Sequence, residues 1–307
     1  MYMSKRYIGR SVFLLTLISG EKMENKDIEY FDNLWQESKP KDGMKHTRET
    51  WDRIAQNWDH DSRKVRLKKD EKIIQLTDYL MAAGALSEDY DVLDLGCGPG
   101  KYGLEFAKHV RSVTLSDISP VMLDYARENA ASAGMKNIFF SEADFLTESV
   151  KELHWEKKFD LVFTSLTPAM DNVGCIRKIN EASRKWGFNN SFVYLKDSLK
   201  DEVGKNVFER PVNTSWGNSS PYCIWNILWL MGLNPRMDYT GEKIDYEYEL
   251  TKTVAEDAAV NIIRDRAPSE KEIDAVYRYL EKAYPDGRVI RRPESLYSWI
   301  LWETDKE

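Results

Sequence analysis

Three cysteines and four histidines in 307 residues leave this chain little thiol or metal chemistry to draw on. Cys97, Cys175 and Cys223 are odd in number and far apart, so neither a disulfide framework nor a metal-ligand spacing follows, and no metal is expected. Reduced thiols in a cytoplasmic protein are the expectation. His46, His60, His109 and His154 fall in no catalytic motif. An excess of positive charge is missing as well. With 44 Lys and Arg against 51 Asp and Glu, the net charge is −7, which disfavours a broad nucleic-acid footprint, and no DNA partner is expected. Long apolar runs are also absent. The stretch from Val12 to Ile18, behind Lys5, Arg6 and Arg10, imitates a signal peptide but has no A-x-A-like cleavage site and is far too short to span a bilayer. No membrane partner is expected. Ser19-Gly20-Glu21-Lys22 before Met23 reads as the product of a ribosome-binding sequence, so Met23 is the expected start and residues 1–22 are expected to be poorly ordered. There is no internal repeat and no low-complexity tract.

What is present is a chain with 42% hydrophobic residues, enough for a real core, and long enough for one large domain or one domain with a sizeable insertion. Its centre is VLDLGCGPG, residues 92–100. Val92 to Leu95 reads as a buried strand, followed by Gly96, Gly98 and Gly100 and a helix starting near Pro99. Glycines at such a break let backbone approach a ligand where a Cβ would collide, and the helix start offers unpaired N–H groups. A dinucleotide fingerprint is excluded, because counting G-x-G-x-x-G from Gly96 puts Lys101 at the third glycine.

The periodicity predicts an α/β alternation around this stretch. Trp51, Ile54 and Trp58 share a helix face, and residues 65–86 form an amphipathic helix. Strands are predicted at Arg111–Ser116, Asn137–Ser141, Phe159–Ser165 and Ser191–Lys196, with a helix opened by Ser119-Pro120 and ended by Gly134. Asp117, 23 residues after Asp94, stands where a doubly wound sheet receives a ribose. Asp197 to Gly217 reads as a loop or small insertion. Ser220-Pro221 opens a helix apolar almost all round, whose second face could roof an acceptor pocket, meet the insertion or join a second subunit in a homodimer. Strands at Pro235–Tyr239 and Ile244–Leu250, helices at Val254–Ala267 and Ser269–Tyr284, and a last antiparallel strand at Leu296–Trp302 complete the prediction.

Asp94 to Gly100, Asp117, Asp144-Phe145 and Ser165 to Met170, in that order, resemble the motifs of the class I S-adenosylmethionine (SAM) dependent methyltransferases. The resemblance covers roughly residues 50–200 and the closing strands. It implies a Rossmann-like α/β fold: a seven-stranded, mostly parallel sheet with an antiparallel last strand, helices on both faces and a helical insertion. The division it implies is an N-terminal extension over 1–44, a SAM-binding core over 45–200, and a remainder of the same domain over 201–307. For the cofactor it implies Trp58, in an aromatic-acid element with Trp51-Asp52 and Asp59, then Asp94, Gly96, Cys97, Gly98 and Gly100. Asp117 would hold the ribose, Ile118, Asp144 and Phe145 would surround the adenine, and Ser165 would lie at the lip. Thr167 and Met170 of the lip, Tyr222 and Trp225 of the apolar helix, and His46 as a base are the acceptor-side residues. Ser165-Leu166-Thr167-Pro168 lacks the paired prolines and ring of nucleic-acid amino-methyltransferases, which favours a small-molecule acceptor. The aromatic set Trp216, Tyr222, Trp225 and Trp229 would suit a planar acceptor or a methylated cation. A protein or RNA methyltransferase, and a SAM-binding scaffold without catalysis, are the alternatives.

Overall fold

The computed structural model describes residues 20–39, 47–56, 70–209, 219–243, 245–263 and 266–305. Trp58, His46, His60 and Trp216 lie outside them. The sheet grows from strands that can be buried on both sides: β1 (Asp91–Leu95) and β4 (Phe159–Ser165) are almost wholly buried, as strands covered by helices on both faces must be. With β2 (Ser112–Asp117), β3 (Ile138–Glu142), β5 (Ser183–Asp197), β6 (Arg236–Lys243) and β9 (Pro293–Glu303) they form one seven-stranded sheet in the order β3-β2-β1-β4-β5-β9-β6. The first five pair in parallel, and β9 runs antiparallel between β5 and β6. This is the expected sheet. The winding reverses between β1 and β4, which opens a crevice at the carboxyl ends of those two strands.

Two layers close the sheet. On one face lie α3 (Glu71–Ala82), α4 (Lys101–Phe106) and α5 (Pro120–Ser132), around Leu76, Leu80, Phe106, Leu123 and Ala126. Phe163 and Phe188 stack within this layer at 5.1 Å. On the other lie α1 (Gly20–Ser38), α6 (Val173–Ala182) and α8 (Ser220–Leu230), with Trp35, Trp155, Ile176, Ile224 and Trp302 buried together. The short α2 (Arg48–Gln56) packs on α5. A third, smaller core joins α7 (Ser198–Val207), which follows β5, to α9 (Lys252–Ile262), α10 (Glu270–Ala283) and the ribbon of β7 (Tyr246–Glu249) with β8 (Arg288–Arg291), which lie in the chain between β6 and β9. No helix among the described residues is long and apolar enough to cross a membrane.

Four differences from the sequence reading have physical causes. β5 begins eight residues before the predicted Ser191, at Ser183. Its early part, SRKWGFNN, has weak strand propensity, but it pairs with β4 on one side and β9 on the other, and that context overrides propensity. Gly187 is required there, because a Cβ would come within 2.2 Å of the Trp302 ring. The stretch read as a loop after Asp197 instead opens with α7: the Asp197 carboxylate accepts from Lys200 N–H at 3.3 Å, and Leu199 and Val203 are buried. α6 and β8, where the sequence predicts no element, are made by tertiary partners: Ile176 and Ile179 are buried in the main core, and β8 pairs with β7. The second face of α8 meets α1, where Phe31 lies edge-on to Tyr222 at 5.7 Å.

Residues 20–38, placed by the sequence in an extension, supply part of the main core. Trp35 is 2% exposed, and the Asp32 carboxylate accepts from the Val173 N–H at the start of α6 at 2.8 Å. Trp35→Ala is therefore expected to cost about 3 kcal/mol or more, read as a lower urea midpoint at unchanged slope. A loss below about 0.5 kcal/mol, the range of a surface substitution, would show that α1 contributes no core.

Candidate active site

Strand β1 must turn sharply to enter α4, and the turn is made by three glycines at positive φ: Gly96 at 70°, Gly98 at 52° and Gly100 at 86°. Gly96 and Cys97 donate their N–H groups to the Ser116 carbonyl at 2.8 and 3.0 Å, which anchors the turn to β2. A Cβ on Gly96 would come within 2.0 Å of Thr167 Oγ1, so the β4 exit loop lies directly on bare backbone. A Cβ on Gly98 would meet no protein atom within 4 Å, which leaves that backbone open to a ligand.

Two strand-end carboxylates hold this turn. Asp94 Oδ2 accepts from Gly103 N–H at 2.9 Å. Asp117 accepts from Gly98 N–H at 2.9 Å through Oδ2 and from Ser119 N–H at 2.9 Å through Oδ1, joining the turn to the start of α5. Burial, reinforced by the nearby Asp117 charge, raises the Asp94 pKa to about 7. Burial raises Asp117 too, against the pull of its backbone N–H partners. The Cys97 thiol is pushed far up by burial and by both carboxylates, so it is no nucleophile at neutral pH.

Around the turn is a cavity of about 360 Å³. Of the residues named for the cofactor, Asp94, Gly96, Cys97, Gly98, Asp117, Ile118, Asp144, Phe145 and Ser165 line it. Gly100 stands behind the turn at the start of α4, facing Leu115 and Ala126. Trp51 lines the cavity from α2, which is docked by the Ser119 hydroxyl donating to Asp52 at 2.5 Å. Asp144 folds its carboxylate back onto Leu146 N–H at 3.1 Å. Phe145 is held from behind by Lys178, whose ammonium donates to the Phe145 carbonyl at 2.7 Å.

Among the described residues named for the acceptor, Thr167 lines the cavity and Met170, Tyr222 and Trp225 do not. Met170 is buried in the core with Trp35 and Ile176, because the β4 exit loop turns it back under the sheet. Tyr222 is 56% exposed, and Trp225 stacks on Trp229 and packs on the core that α1, α6 and α8 build, rather than on the crevice. Of the described histidines, neither His109 nor His154 lines the cavity. The sequence reading missed Tyr102 and Asn190, and held Leu166 only as part of the lip motif. Tyr102 follows the glycine turn by two residues and was readable as an aromatic in the first helical turn. Leu166 adopts a positive φ of 51° at the cavity lip, a strained value for a branched side chain, and no local pattern announces it. Asn190 lies in the part of β5 that weak propensity concealed; its amide donates to Ser165 Oγ at 2.9 Å.

A parallel sheet wound in this order, with one antiparallel strand next to its edge and a glycine turn between acid-bearing strand ends, is the architecture of the class I SAM-dependent methyltransferases. Over residues 86–203 the chain matches the family described as methyltransferase domain. A malonyl-[acyl-carrier protein] O-methyltransferase of Ilyobacter polytropus is 32% identical over 168 residues, 53% of this chain and 52% of that protein. A 23S rRNA uracil C5-methyltransferase of Stenotrophomonas maltophilia is 36% identical over 94 residues, 31% of this chain and 20% of that protein. The chain thus spans about half the length of the first and a fifth of the second. Among solved structures, coclaurine N-methyltransferase bound to N-methylheliamine and SAH aligns with a TM-score of 0.48 at 16% identity, over 92% of this chain and 88% of that one.

The raised Asp94 pKa has a measurable sign. Unfolded, the group titrates near its ordinary 3.8; folded, it titrates near 7. Between those values the folded state keeps a proton that the unfolded chain has lost. The contribution of Asp94 to stability is therefore complete below about pH 4 and is lost as pH rises through about 7. The melting temperature of the ligand-free protein relative to Asp94→Asn is expected to fall across that interval. A constant difference would show that Asp94 ionises normally.

Proposed function

We propose that this chain transfers a methyl group from S-adenosylmethionine to a small-molecule acceptor, and that the cavity at the glycine turn holds the cofactor. The observation that carries the reading is the Gly98 N–H meeting the Asp117 carboxylate at 2.9 Å on the wall of a cavity at the sheet's switch point. Asp117 keeps lone pairs beyond its two backbone bonds, and these suit the vicinal hydroxyls of a ribose. Asp94 and the backbone of Gly96 and Gly98 would hold the amino-acid end. Ile118, Asp144 and Phe145 would flank the adenine, with Trp51 covering from α2.

When bound, the cofactor supplies a methyl already activated by its sulfonium. The protein's task is then to align nucleophile and methyl and to keep water out. No general base is assigned, because a base is needed only for an acceptor protonated at working pH. The net charge of −7 supports a small molecule over RNA. Three buried cysteines without disulfides support a reducing cytoplasmic setting.

Asp117→Ala is expected to weaken SAM binding by about 1.5–3 kcal/mol through loss of charge-assisted hydrogen bonds, measured by calorimetry; unchanged affinity would remove the ribose assignment. With methyl-labelled SAM and fractionated cell extract, label should enter low-mass material. Label in RNA or protein would overturn the acceptor class, and absence of SAM binding would overturn the whole reading.

A further inference from the structure

Beside the glycine-turn cavity lies a second one of about 250 Å³, and the two share Tyr102 and Leu166 as a common wall. The Ser165–Asn190 hydrogen bond completes that wall, Ser165 lining the first cavity and Asn190 the second. The second cavity is made by the overhang of the sheet. β5 pairs with β4 only as far as Asn190, then continues to Asp197 paired with β9, and β9 in turn pairs with β6 out to Lys243. Tyr297 and Trp299 of β9 and Thr240 to Glu242 of β6 line this overhang, and Glu71, Lys72 and Gln75 of α3 face them.

Its chemistry favours a cation. Tyr102, Tyr297 and Trp299 provide ring faces. Among the described lining residues the charges are Glu71, Glu242 and a single cation, Lys72, which is paired with Glu242 across the rim. The Asn190 side-chain oxygen, Oδ1, is buried without a hydrogen-bond partner, and its residue is 4% exposed. An oxygen left in that state calls for an N–H donor.

We propose that the methyl acceptor is a small amine, bound in this second cavity between the aromatic rings and the Glu242 carboxylate; this rests on the methyl-transfer reading above. The acceptor ammonium first gives its proton to solvent water, and the lone pair so freed forms the new N–C bond. The C–S bond breaks with its electron pair passing to sulfur. Positive charge thereby moves from sulfur in the first cavity to nitrogen in the second. A carboxylate and ring faces placed around that nitrogen are stronger partners for the charged product than for the neutral amine, and so favour the transfer. An acceptor carboxylate would meet Glu71 and Glu242 instead.

The test uses the full chain saturated with S-adenosylhomocysteine and two probes of similar size, benzyltrimethylammonium and phenylacetate, by calorimetry. The cation is expected to bind at least about tenfold more tightly. Glu242→Gln should weaken the cation about tenfold, and Lys72→Met should strengthen it. Opposite signs are the signature, because loss of a merely structural ion pair would shift both variants the same way. Equal or tighter phenylacetate binding, or the same direction in both variants, overturns the proposal. Failure to bind S-adenosylhomocysteine overturns the cofactor reading instead, so the two failures are distinguishable.

Discussion

A turn that only glycine can make, held in place by carboxylates, governs the arrangement of this site. Gly96, Gly98 and Gly100 all take positive φ, and the turn they form has few side chains with which to pin itself. Its rigidity comes from neighbours: the Ser116 carbonyl below and the Asp117 carboxylate beside it. Gly103 belongs to the same constraint, because a Cβ there would come within 2.9 Å of Asp94 Oδ2 and 2.2 Å of the Leu115 side chain. Exposed backbone, strand-end acids and helix starts converge because a parallel sheet brings all its carboxyl ends to one rim.

That rim is divided by the direction of its strands. Strands β1 to β4 end near the glycine turn, whereas β5, β9 and β6 continue beyond it as an overhang. The antiparallel β9 makes this possible, since it lengthens the sheet on one side without adding a crossover helix above the crevice. The small third core is attached at the far end of the overhang, where Arg291 donates to Asp197 at 2.8 Å. The two cavities are thus consequences of one topology. The glycine-turn cavity follows from the winding reversal and the second from the overhang.

Aromatic residues prominent in the sequence split between support and site. Trp35 and Trp155 are buried in the layer that α1, α6 and α8 build on the sheet. Trp225 and Trp229 stack on each other on α8, away from the crevice. Trp51, from the aromatic-acid element, and Trp299, which no motif marks, are the tryptophans that reach the two cavities among the described residues. An aromatic stripe on a helix states that the helix has an apolar face; it does not state what the face meets.

The parts legible from sequence were those whose cause is local. Glycines at fixed spacing, an acid before them, an acid at the next strand end and continuous apolar strands each carry their reason within a few residues, and so β1 to β4 and the lining from Asp94 to Ser165 could be read directly. What depended on distant partners could not be read. The early half of β5, the helix α7, the burial of Met170, the exposure of Tyr222, and the place of Leu166 and Asn190 beside the cavities are decided by segments far away in the chain. Local propensity is worth a fraction of a kcal/mol per residue, whereas a paired ladder or a buried face outweighs it. Such terms exist only once the chain has closed on itself.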